Sequence, residues 1–504
     1  MTRTPLLVLA LLLAPLPCAQ AQPGSIVEAL GGEGHAGDAE SSDAAALTAR
    51  RYDALVAAGD RAALKAFLVA MPKGADLHNH YSGSLHAETY LELARAKQDR
   101  FRIDADTLAF VRRGYAPPFW PDRPLHTVDD VLADPDLHER VLRAWSIRGY
   151  GEEPEQVSPD QDFFQAFLGF GAFAKETLPE GLRILKRRAL DENVLYLETM
   201  LMPGGYWYTS QEDDDRLRAA ATLEELEQEL QRLAAQFEAD PAFRRAVTGY
   251  VRAVRRNHEG IDADAFRMRY VTYADRNGAP ANAFGRLLSS FAAAAREPLI
   301  VGVNLVGAEN GAVALRDYRL HMRMVRFLRD RFPRVPVALH AGELVPGMGQ
   351  PEDLGFHVRE AVEVAGARRV GHAIDATHDP DVAGLLRLLQ DRGVAVEINL
   401  TSNDFILGVK GQDHPFELFR THGVPMVIST DDAGVARTDG LSHEYLLLSE
   451  RHGVSYPELK RLAHASIEHS FLPAATRSAL RGRLAEQFEA FERGAAAAAA
   501  SSGD

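Results

Sequence analysis

The chain has 504 residues, 46% hydrophobic and 25% charged, with a formal net charge of -15 and one cysteine. This is the composition of an ordinary soluble globular protein, long enough for a large α/β barrel with extensions. The negative charge argues against nucleic acid as a partner, because that binding relies on clustered Lys and Arg. A neutral small molecule stays compatible.

In chain order, Arg3, an apolar run from Leu6 to Ala14 and the small residues Ala19-Gln20-Ala21 read as a signal peptide, residues 1–21, cleaved near Ala21. Export to the periplasm or medium follows as the expected location. The apolar run is too short to span a bilayer, so no membrane span is expected. Cys18 follows Pro17, which fits a lipoprotein cleavage badly, and cleavage after Ala21 leaves a mature chain without cysteine. Residues 22–43 read as a flexible lead, and 44–70 as a helical extension that either packs on its own chain or mediates a homodimer. Residues 71–493 form the main domain, and 494–504 a disordered alanine-rich tail.

Within the main domain, eight short apolar runs alternate with helical patterns. They are 75–78, 194–201, 247–254, 299–306, 335–340, 369–374, 394–400 and 425–430. Such runs suit strands covered on both faces, and the alternation indicates a (β/α)8 TIM barrel of the α/β class. Helical crossovers are expected at 317–332 and 381–392. Two segments exceed the needs of a barrel: a helical insertion at about 101–162, after strand 1, and a charged outer helix at 213–240.

Polar residues cluster where the runs end. Strand 1 ends in His78-Asn79-His80, strand 5 in His340-Ala341-Gly342-Glu343, strand 6 in Gly371-His372, and strand 8 in Ser429-Thr430-Asp431-Asp432. In a β/α barrel all these ends meet at one mouth. The two-residue period of a strand turns His78 and His80 to one face. With His340 and Asp431 they make a nitrogen- and oxygen-rich shell suited to a divalent metal, which can lower the pKa of bound water to about 7. Each piece has a plainer reading: a His-x-His pair by chance, a packed His372, a helix cap at Asp431-Asp432. Four such pieces at four strand ends make chance a poor account.

These residues resemble the adenosine deaminase family of metal-dependent amidohydrolases. The matching strings are Met71-Pro72-Lys73 leading into Leu77-His78-Asn79-His80, then Gly83, His340-Ala341-Gly342-Glu343, Arg369-Val370-Gly371-His372, Thr401-Ser402-Asn403 and Ser429-Thr430-Asp431-Asp432. The signal peptide, the insertion and the phrase Leu305-Val306-Gly307-Ala308-Glu309-Asn310 are similar to the secreted, growth-factor-related branch. The resemblance implies deamination of adenosine, and of 2'-deoxyadenosine, to inosine and ammonia, with one Zn2+ per subunit held by His78, His80, His340 and Asp431. It implies that Glu343 protonates purine N1 and that His372 orients the attacking water and helps deprotonate it. Asp432 would bond N7, and the Gly307 backbone would contact N3. The ligand set lacks a strand-4 lysine that could bridge two metals, which favours a one-metal site.

Ser82 stands where the compact branch has a ribose-binding aspartate, so sugar recognition falls to Glu88, Trp120 or the 101–162 insertion. Ala433-Gly434 replaces the proline usual after the paired aspartates. Alternatives are a deaminase of adenine, a nucleotide or a modified nucleoside, another amidohydrolase, or a binding protein that keeps the fold without turnover. Cytidine-deaminase-type sites need cysteine ligands and are excluded for the mature chain.

Overall fold

The computed structural model describes residues 36–113, 124–152, 156–203 and 206–501, with side chains from 43 to 497. The signal peptide, most of the 22–43 lead and Trp120 lie outside the described residues.

Eight parallel strands carry the fold: β1 (Gly74–His80), β2 (Val194–Leu201), β3 (Arg267–Asp275), β4 (Ile300–Val306), β5 (Ala338–Ala341), β6 (Arg369–His372), β7 (Ala395–Ile398) and β8 (Met426–Ile428). They pair in order as two four-stranded parallel sheets, β1–β4 and β5–β8. Parallel bridges Val303–Val337 and Asn79–Asp431 close the barrel. At the β8–β1 seam the Asp431 N–H donates to His78 O at 2.8 Å, and the His80 N–H donates to Asp431 O at 3.3 Å. The backbone bonds that close the barrel therefore carry three of the four expected metal ligands.

Seven of the eight expected strands lie where the apolar runs are. The exception is Val247–Val254, which belongs to the helix Pro241–His258. Phe243, Val247 and Val254 are its buried residues, spaced four and seven apart as on one helix face. The third strand is instead Arg267–Asp275. Its alternation hides behind Arg267 and Arg269, which are partly exposed while Met268 and Tyr270 are buried. The crossover helices Tyr318–Arg331 and Val382–Arg392 form as expected.

The insertion is not purely helical. An antiparallel sheet of Phe101–Asp104, Phe110–Arg112 and Leu125–His126 precedes its helices. The buried Phe101, Ile103 and Phe110 set its inner face, and Trp145 donates to Leu108 O at 2.8 Å beneath it. The outer 213–240 segment is two helices, Gln211–Ala219 and Leu223–Ala239, with a capping box from Thr222 and Glu225 starting the second.

The N-terminal extension is two helices, Ala36–Ala58 and Arg61–Ala70, so the lead turns helical at Ala36. Gly59 at φ 67° breaks the chain between them, and Asp60 caps the second by accepting from the Ala63 N–H at 3.0 Å. They pack on their own chain: Tyr52 donates to Val454 O at 2.7 Å, and Phe67 meets Phe491 edge-on at 5.2 Å between centroids. The C-terminal helix Ala474–Ser501 crosses the alanine run expected to be a tail, in keeping with alanine's high helix propensity. No helix among the described residues is long and apolar enough to cross a membrane.

Candidate active site

The strand ends bring the expected residues together. His78, His80, His340 and Asp431 offer ligand atoms all within 4.8 Å of one another, and Glu343, His372 and Asp431 form an overlapping group. The Nε2 atoms of His80 and His340 face each other at 3.1 Å, with Asp431 Oδ1 3.3 Å from the first. His78 Nε2 is fully buried with no hydrogen-bond partner and lies 3.5 Å from the same oxygen.

The outer partners decide which nitrogen each imidazole presents. His78 Nδ1 donates to Glu397 Oε2 at 2.6 Å, and His340 Nδ1 donates to Asn304 Oδ1 at 3.1 Å. Both Nε2 atoms thus turn inward, the usual result when the other ring nitrogen of a metal-binding histidine donates to a fixed oxygen. Glu397 Oε1 accepts from Arg369 Nε at 2.6 Å, and Arg369 Nη2 donates to Glu198 Oε2 at 2.6 Å. These three are buried charges inside strands, where an unpaired charge would cost several kcal/mol. Here each is paired.

The electrostatics suit a cation. Burial would discharge His78, but the Asp431 carboxylate beside it and its hydrogen bond to Glu397 overcome this and carry the imidazole up to about 10. The site thus stabilises positive charge at that point. Burial pulls His80 down to about 4 and His340 well below the ordinary histidine range, so both present neutral lone pairs. Asp431 stays ionised: burial opposes this, but the adjacent His78 ring holds the carboxyl far below its usual value. With an ion in place of the His78 proton, three inward Nε2 atoms and one carboxylate fit a four-ligand divalent metal with nitrogen and oxygen donors.

Glu343 and Asp432 behave oppositely. Burial first, then the nearby Asp431 charge, pushes both carboxyls well above their ordinary values. A carboxyl that keeps its proton at neutral pH can donate it. His372 Nε2 is buried without a hydrogen bond, 3.7 Å from Glu343 Oε1 and 3.9 Å from Asp431 Oδ2. His372, at φ 69°, and Asp431, at φ 54°, both hold left-handed backbone conformations that non-glycine residues rarely adopt.

Gly83 explains its place in the motif. A Cβ there would lie 1.7 Å from Asp432 Oδ1, so only a glycine lets that carboxyl pack against β1's exit. Gly307, at φ 101°, ends β4 beside Asp275 and Asn277 and stays partly exposed. Of the residues considered for the sugar, Glu88 is held by Arg437 at 2.7 Å, and Ser82 offers its carbonyl oxygen to the Tyr90 hydroxyl at 2.8 Å.

Glu309 was not singled out from sequence, yet it holds the segment bearing Glu343. Its Oε1 accepts from the Gly342 N–H at 3.1 Å, and its Oε2 accepts from the Glu343 N–H at 2.7 Å. His357 Nδ1 donates to Oε1 at 2.6 Å, and Arg276 Nη1 lies 3.3 Å from it, all buried. Asn304, Glu397 and Glu198 also escaped notice, and Arg369 was quoted in a motif without a role. Asn304, Glu397 and Glu198 are polar residues inside apolar strand runs, and Arg369 opens one; that was the available signal.

A family model described as adenosine deaminase matches residues 240–487. The chain is 32% identical over 243 residues to an adenine deaminase from Rhizobium leguminosarum bv. trifolii, covering 47% of this chain and 67% of that protein. Among solved structures it resembles the Arabidopsis N6-mAMP deaminase, with TM-score 0.55 and 20% identity over 83% of this chain and 99% of that one. It also resembles an amidohydrolase of Burkholderia ambifaria with bound Zn, with TM-score 0.52 and 19% identity over 86% of this chain and 95% of that one. Barrel, ligand cluster, family model and relative agree, and the chain belongs to the adenosine deaminase family.

Proposed function

We propose that this protein deaminates adenosine, and 2'-deoxyadenosine, to inosine and ammonia, using one Zn2+ held by His78, His80, His340 and Asp431. The observation that carries the reading is geometric: beside that shell stand two buried carboxyls, Glu343 and Asp432, where burial favours the protonated form. A purine ring offers two acceptor nitrogens on either side of C6, N1 and N7, and each pairs with a donor.

The metal, when bound, supplies the acidity that makes an attacking water nucleophilic at neutral pH. Glu343 passes its proton to N1, which makes C6 electrophilic. Asp432 donates to N7 and fixes the ring. His372 orients the water, and the Gly307 backbone contacts N3. Zinc is favoured over other first-row ions by the His3Asp donor set and by the zinc bound in the Burkholderia relative. Residues 1–21 read as an export signal, which supports an activity outside the cytoplasm.

A free-base substrate is the second reading, favoured by the Rhizobium relative's description as an adenine deaminase. Comparing kcat/KM for adenosine, 2'-deoxyadenosine, adenine and AMP tests both. The proposal expects the two nucleosides to lead. Adenine leading would replace it with the second reading, and AMP leading would move the substrate to a nucleotide, as in the Arabidopsis N6-mAMP deaminase.

A further inference from the structure

Behind His372 runs a hydrogen-bond chain whose direction is fixed at its far end. The backbone N–H of Phe416 donates to His414 Nδ1 at 3.1 Å. A backbone N–H can only donate, so His414 Nδ1 is an acceptor, and the neutral ring carries its proton on Nε2. His414 is neutral: burial, helped by His452 and His372, pulls its imidazole down to about 3. His414 Nε2 lies 3.1 Å from Asn403 Oδ1 and donates to it.

With its oxygen so engaged, Asn403 turns its amide nitrogen to His372 Nδ1 at 3.0 Å. Asn399 Nδ2 approaches the same atom at 3.5 Å. An amide nitrogen has two protons and no acceptor capacity, so His372 Nδ1 must accept. The one proton of a neutral His372 therefore sits on Nε2, the atom facing Glu343 and Asp431. Flipping Asn403 would set its amide nitrogen against the His414 Nε2–H, donor to donor, in a buried place where such a clash is costly.

We propose that Asn403 and His414 are positioning residues that hold His372 as its Nε2–H tautomer, so that His372 orients the attacking water by donating a hydrogen bond to it. An Nε2 that carries a proton has no lone pair, so His372 does not take the water's proton at that atom. This replaces the deprotonating part of the role that the family resemblance implies for His372. The assignment of a water-facing role rests on the proposed function; the tautomer itself does not.

The test is spectroscopic first. In the zinc-loaded protein with ring-15N histidine, the His372 signals are identified by their loss in His372→Gln, or by their movement in Asn403→Asp should that variant fail to fold. The expected result is a protonated Nε2 and a lone-pair Nδ1. A protonated Nδ1 in the wild type overturns the proposal. In Asn403→Asp the carboxylate accepts from Nδ1 and reverses the tautomer, and kcat should fall by about 10- to 100-fold while KM and metal content hold. A reversed tautomer with wild-type kcat overturns the donor role. A wild-type enzyme inactive on every purine would instead sink the proposed function and leave the tautomer to be read from the spectrum.

Discussion

Glu397→Gln tests how far the outer partners set metal affinity. Glu397 lies in the middle of β7, fully buried, with one oxygen 2.6 Å from His78 Nδ1 and the other 2.6 Å from Arg369 Nε. Gln keeps the volume but turns one oxygen into a donor. Whichever way the amide faces, a donor then meets either the His78 ring N–H or the Arg369 guanidinium. The charge that favours a cationic His78 site is also gone, leaving Arg369 with Glu198 alone. Loss of such an orienting partner costs about 10- to 100-fold in metal affinity, which is about 1.4 to 2.8 kcal/mol. Competition against a chromogenic zinc chelator reads the Kd directly, and melting of both metal-free proteins checks that the barrel still forms. A folded variant with the wild-type zinc Kd would refute the reasoning, because His78 would then be oriented without Glu397.

Other substitutions separate the remaining roles. Glu343→Gln keeps the shape but has no carboxylic proton to give, so kcat should fall by about 10²-fold or more with zinc content unchanged; a near-normal rate removes Glu343 as the donor. Glu309→Gln places an amide N–H against either the Glu343 backbone N–H or the His357, Gly342 and Arg276 donors. Steady-state kinetics should show kcat reduced by up to about 10²-fold at normal metal content, since misplacing a reacting group by about 1 Å costs that much. Gly83→Ala must push Asp432 aside, because the new Cβ would sit 1.7 Å from its Oδ1. Turnover and substrate affinity should both fall while zinc stays bound, and unchanged kinetics would take Asp432 out of substrate recognition. Asp431→Ala should lower the zinc content itself, measured per chain, and full occupancy would mean that the shell is misassigned.

Much of the site was legible because its residues come as local strings at strand ends. His78-Asn79-His80 and Asp431-Asp432 need only the period of a strand and the topology of a barrel to converge. The β8–β1 seam, where Asp431 and His78 exchange backbone contact, is long-range and no local pattern announces it. The third strand was missed for a physical reason. Arg267 and Arg269 interrupt its apolar pattern, while the valines of the 241–258 helix mimic a strand run unless their spacing is counted. Glu198 and Glu397 were passed over, and Arg369 and Glu309 were quoted without a role, because a sequence shows a charge but not its partner. Their function lies in pairings that span the barrel, Arg369 with Glu198 and Glu397, and Glu309 with His357. Asn403 stood in a quoted motif, but its task depends on His414 and the Phe416 N–H, whose contacts only the fold supplies.

The most direct test of the central claim is the ultraviolet absorbance of adenosine incubated with the protein, with a chelator, and after zinc is restored. Conversion to inosine that stops with the chelator and returns with zinc is the predicted result. No conversion of adenosine by protein that holds one zinc per chain would contradict it.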